Sequence, residues 1–117
     1  MINGIFASLS GIRNAAERLG LTANNVANQQ TPGYRALRAT NVESAGGGVE
    51  IGAITRDDAP GPPLPEFAGG PDRLGSNVDP TVEQVNLLIN KRQFEANVNA
   101  LRAQDDALGD LLDTVRD

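Results

Sequence analysis

The sequence predicts a mainly α protein: an antiparallel pair of long N- and C-terminal helices of coiled-coil type, with a small β-hairpin and loop insert between them. Three observations carry this. Ile5, Leu9, Ile12, Ala16, Leu19, Ala23 and Val26 recur in alternating steps of four and three, the spacing of a heptad a/d seam. Near the other terminus, Leu87, Phe94, Leu101, Leu108 and Val115 recur at every seventh position. The stretch between is short and rich in Gly and Pro, which rules out a third long helix.

Composition narrows the function classes. The 117 residues hold one domain at most. The aromatic residues are Phe6, Phe67, Phe94 and Tyr34, with no Trp, so any globular centre is small. Net charge is -5, and the basic residues are scattered without a Lys/Arg stripe, which disfavours nucleic acid as a partner. The chain has no Cys and no His. Disulfides, thiol chemistry, the commonest general base and the commonest metal ligand are thereby removed. No apolar run approaches the ~20 residues of a membrane span, so no membrane insertion is expected. The N-terminus lacks a basic region, a continuous apolar core and an Ala-x-Ala site. Export, if it occurs, is expected to leave it uncleaved.

The N-terminal segment, residues 1–33, begins with a helix from about Ile5 to Asn28, about 36 Å long. It ends in Asn24, Asn25, Asn28, Gln29 and Gln30, and Asn has poor helix propensity because its side chain competes for backbone groups. Two readings stand. One is helix termination, since Asn tolerates the left-handed conformation. The other is a polar seam that bonds to the partner helix and fixes register. Thr31-Pro32-Gly33-Tyr34 then forms a type II turn, with Pro presetting φ and Gly supplying φ > 0. Tyr34 is expected to pack against the helix end.

The insert spans residues 34–75. A hairpin is expected to pair residues 34–42 with 48–56, because Val49, Ile51 and Ala53 alternate with Glu50 and Gly52. Residues 57–75 read as a stiff loop, with Pro60, Pro62, Pro63, Pro65 and Pro71 excluding helix and central strand.

The C-terminal segment, residues 76–117, starts its helix with Asp79 as cap, Pro80 in first position, and Glu83 set against the helix dipole. A second line, Val82, Ile89, Ala96 and Ala103, lies nearly opposite the first. It reads either as a second contact face, as in a multilayer assembly, or as plain helix propensity. The expected interface between the helices is Ile5, Leu9, Ile12, Leu19 and Val26 against Leu87, Phe94, Leu101, Leu108 and Val115. The Asn24–Asn28 cluster is expected at the level of Asn86 and Asn90. Large apolar residues are few, so the hairpin is expected to gain order by packing with other copies or partners.

Catalytic chemistry is sparse. Asp105-Asp106 read as a solvated face, and Asp57-Asp58 lack calcium-loop spacing. Gly46-Gly47-Gly48 lacks the Lys-Ser/Thr and helix start of a phosphate loop. No enzyme activity, cofactor, metal or small-molecule substrate is expected.

Two stretches resemble a known family. Ala23-Asn24-Asn25-Val26-Ala27-Asn28, followed by Thr31-Pro32-Gly33-Tyr34, resembles the N-terminal signature of bacterial flagellar rod and hook proteins. Gly75-Ser76-Asn77-Val78-Asp79, then Glu83, Val85-Asn86 and Arg92-Gln93-Phe94-Glu95-Ala96-Asn97, resembles the C-terminal signature of the same family. Ala107-Leu108-Gly109 and Leu111-Leu112 resemble its closing turn. Pro80 and Thr81 depart from the usual helix start. The matching polar and turn residues are Asn24, Asn25, Asn28, Thr31, Gly33, Tyr34, Asn77, Asn86, Arg92, Glu95 and Asn97. The resemblance implies a structural subunit of the flagellar basal-body rod, exported through the flagellar type III apparatus without a cleaved signal. It would assemble with other copies and other axial proteins in the periplasm-spanning rod. The short insert is most like a small proximal-rod protein. The alternatives are a soluble coiled-coil adaptor and a rod-like paralogue outside the flagellum.

Overall fold

The structure, a computed structural model, describes residues 2–65 and 73–116. Helix α1 spans Ile2–Ala27, strands β1 and β2 span Leu37–Glu43 and Val49–Arg56, and helix α2 spans Pro80–Arg116. The architecture is the expected one, with the helices antiparallel and the strands forming one two-stranded antiparallel sheet. Residues 66–72 of the expected linker, including Phe67 and Pro71, lie outside the described residues.

Local chemistry sets each boundary. Asn28 closes α1: both its N–H, at 3.1 Å, and its Nδ2, at 2.9 Å, donate to Asn24 O. Tyr34 N–H donates to Thr31 O at 3.1 Å across a Gly33 whose φ is 73°, as a type II turn requires. Gly33 N–H then donates to Leu74 O at 2.9 Å, tying this turn to the approach of α2. Asp79 Oδ1 accepts the N–H groups of Thr81 at 2.8 Å and Val82 at 3.4 Å, and Pro80 opens α2. The Pro-rich loop turns back on itself: Pro63 bridges Leu74, and Gly75 N–H donates to Pro62 O at 2.7 Å.

The hairpin lies along α1. Its register shifts between Thr40 and Asn41, leaving Gly52 without a partner. Such a bulge re-aims the strand, and Asn41 Oδ1 accepts from Asn14 Nδ2 at 3.1 Å and Arg18 Nη1 at 3.3 Å. At the far end, Val49 N–H donates to Ser10 Oγ at 3.1 Å.

The helices meet along a line that is small and polar. On α1, Ser8, Gly11, Ala15, Thr22 and Asn25 are buried. On α2 the facing residues are Glu83, Asn90, Asn97 and Gln104, seven apart. Gln104 Nε2 donates to Ser8 Oγ at 3.4 Å, and Asn97 sits over Gly11. The apolar residues Ile5, Leu9, Ile12, Leu19 and Val26 flank this line, as do Leu87, Phe94, Leu101 and Leu108, and all of these are half-buried. Val115 is 78% exposed. Small residues let two backbones approach closely, and the larger side chains then close around the gap. Among the described residues, the buried apolar ones are Ala15, Ala36 and Val78, fewer than the buried polar ones.

The particle is long and thin, 78 × 24 × 14 Å, with a radius of gyration of 20.3 Å. A compact chain of this size would have a radius of about 13 Å. A Cβ added at Gly11 would lie 2.5 Å from Asn97 Oδ1. Gly11→Leu is therefore expected to destabilise the fold by about 1–3 kcal/mol through overpacking, read as a lower urea midpoint. Gly11→Ala is expected to cost less, because helix propensity returns about 1 kcal/mol.

Candidate functional site: a polar clamp joining both helices to the hairpin

Asn25 and Glu83 sit where α1, α2 and the base of β1 converge. Asn25 is 1% exposed and Glu83 0% exposed. The Asn25 amide fills its full hydrogen-bonding capacity. Its Nδ2 donates to Leu37 O at 3.0 Å and Glu83 Oε2 at 3.2 Å. Its Oδ1 accepts from Leu37 N–H at 2.8 Å and from the Tyr34 hydroxyl at 3.2 Å. The amide thus stands in for a neighbouring strand on the edge of β1. Glu83 does more than favour the helix dipole: its other oxygen pairs with Arg38 Nη1 at 2.5 Å.

One helical level along, Asn90 Oδ1 accepts from Arg18 Nε at 3.2 Å, and Asn90 Nδ2 lies 3.5 Å from Thr22 Oγ1. Arg18 Nη1 also reaches Ala39 O at 3.4 Å. The level expected for Asn24 and Asn28 with Asn86 and Asn90 is therefore displaced: Asn25 meets Glu83, and Asn90 meets Thr22 and Arg18. Asn24 stays exposed and accepts from Asn28 Nδ2 at 3.0 Å and from Tyr34 at 3.2 Å. Thr31 Oγ1 donates to Asn28 Oδ1 at 3.2 Å.

Asn77 forms a second clamp. Its Oδ1 accepts from Ala36 N–H at 2.7 Å, and its Nδ2 donates to Asp57 O at 3.0 Å and Ala59 O at 2.8 Å. Its own N–H donates to Tyr34 O at 3.2 Å. One side chain so fixes the start of β1, the end of β2 and the approach to α2. Asn97 Nδ2 bonds only within its own helix, to Gln93 O at 2.8 Å. Arg92 and Glu95 pair on the exposed surface at 3.4 Å, a contact of small energetic weight.

Reading the sequence misses Arg38, Arg18, Thr22, Asn14 and Asn41. Glu83, Asn90, Asn97 and Gln104 did carry a signal, since they repeat every seven residues beside the apolar line. A groove of about 260 Å³ opens beside the clamp, lined by Arg18, Leu21, Arg38, Val82 and Asn86 among others. That lies below the roughly 300–1,000 Å³ of small-molecule sites. Among the described residues, no group of three or more His, Cys, Asp or Glu is placed to hold a metal.

The chain is thus a long two-helix hairpin clamped to its β-hairpin by backbone-directed asparagines. Residues 74–114 match the family described as "Flagellar basal body rod FlgEFG protein C-terminal". The match supports a structural role in the flagellar basal body. No curated protein matches the sequence.

Removing Arg38 strands a buried carboxylate. Arg38→Met is expected to destabilise by about 3–5 kcal/mol, and Glu83→Gln by less, because it removes the charge itself. Adding Glu83→Gln to Arg38→Met is expected to recover much of the loss in a thermal-denaturation cycle. Additive losses would show that the pair is not coupled.

Proposed function

We propose that the chain is a subunit of the flagellar rod, held to other copies and other axial proteins through its terminal helices. The carrying observation is the outer side of α2. Val85, Leu88 and Ile89 are exposed there, on a helix whose inner side already holds α1. Such a stripe on one chain is what a further helix would cover. The match over residues 74–114 supports the axial assignment. In this reading the chain reaches the periplasm-spanning rod through the flagellar type III export apparatus without signal cleavage. The short insert favours a small proximal-rod type.

Mass spectrometry of purified hook–basal bodies tests this. The chain is expected at a fixed ratio to the other rod subunits, and its deletion is expected to abolish motility. Its absence from basal bodies, with motility intact, would favour the adaptor or the paralogue outside the flagellum.

A further inference from the structure

We propose that the groove beside the clamp is a binding site for a small oxyanion, held by Arg18, Arg38 and Asn86. The site draws on three elements. Arg18 stands on α1, Arg38 on β1 and Asn86 on α2, with Leu21, Leu37 and Val82 as apolar walls. Charge sets this groove apart, since its lining holds two arginines and no carboxylate. The larger groove, about 710 Å³, lies between α1 and the hairpin tip and sets Arg13 beside Glu17 and Glu50. It offers an anion no excess of positive charge.

Arg18 is the central observation. It is half-buried, and each hydrogen bond it makes goes to a neutral acceptor: Asn90 Oδ1 at 3.2 Å, Asn41 Oδ1 at 3.3 Å and Ala39 O at 3.4 Å. Among the described residues, no carboxylate pairs with it. Bonds from a guanidinium to an anion are shorter, about 2.7–2.9 Å. A partly desolvated charge with only long bonds to neutral groups is short of a counter-charge. Arg38 supplies the second charge. The wholly buried Glu83 takes its Nη1 and offsets part of it, while 36% of the Arg38 side chain stays exposed. Among the described residues, none of the Arg18 or Arg38 hydrogen bonds uses Nη2. Asn86 is half-buried and its side chain makes no hydrogen bond there, so its amide can donate as well.

The planar guanidinium fork matches the paired oxygens of phosphate and carboxylate alike. At about 260 Å³ the groove takes one small ion rather than a drug-sized ligand. Because the donors come from both helices and the hairpin, a bound oxyanion favours the closed arrangement of all three by mass action. The site belongs to the single folded chain and does not depend on entry into a rod.

Inorganic phosphate and succinate are titrated separately into the full-length chain, with ionic strength held constant by sodium chloride. The Arg18 Nε–H and Asn86 side-chain amide signals are followed by NMR. Saturable shifts at both positions are expected with at least one of the two ions, and the tighter ion tells a phosphate site from a carboxylate site. Arg18→Gln is expected to weaken that binding about tenfold or more, the loss of a charge-assisted bond. Asn86→Ala, which removes no hydrogen bond of the fold, is expected to weaken it about threefold, and decides the matter if Arg18→Gln does not fold. Shifts that fail to saturate with either ion, or binding left unchanged by Asn86→Ala and Arg18→Gln, overturn the site and leave a general salt effect.

Discussion

A carboxylate with no access to water organises this molecule. An ionised carboxylate is costly to bury unless charge and hydrogen bonds replace its hydration. Glu83 receives both, from Arg38 on β1 and Asn25 on α1. Each partner is itself placed by a further constraint. Asn25 is held by the backbone of Leu37 and by Tyr34, and Tyr34 is placed by the turn at Gly33. The requirement at one side chain therefore fixes the relative position of two helices and a hairpin. Apolar packing alone, being non-directional, would not do this.

The helices, the turn and the hairpin were legible because each rests on a local rule. Seven-residue spacing, Pro-Gly at a turn, Asp-Pro at a helix start and alternation around Ile51 all act over a few residues. The line of closest approach between the helices was not legible in the same way. Counting apolar residues points to Ile5, Leu9 and Ile12, whereas the residues nearest α2 include Ser8, Gly11 and Ala15. Hydrophobic periodicity identifies which side of a helix is inward. It does not say whether large side chains sit at the contact or around it. The asparagine cluster was visible as unusual, but its partners were not. Leu37 offers backbone groups, which leave no trace in side-chain identity, and Arg38 lies far from Glu83 in sequence.

The family match covers α2 and its approach, yet the clamp spans the match boundary. Asn77, Glu83 and Asn90 lie inside residues 74–114, while Asn25, Thr22, Arg18 and Arg38 lie outside. The matched region thus contributes one half of a bonded interface, and the burial of Glu83 has no counterpart without the N-terminal segment. The inner side of α2 is spent on holding its own chain together, and its outer side carries the apolar residues free for other contacts.

The polar interior has a mechanical consequence. An interface of Asn, Gln, Thr, Ser and Gly exchanges its bonds for bonds to water as it opens, with small net change. Peeling α2 from α1 uncovers the half-buried flanking residues, among them Ile5, Leu9, Phe94 and Leu101, but no large apolar core. The directional bonds of Asn25, Glu83 and Asn90 are satisfied together in one alignment of the two helices.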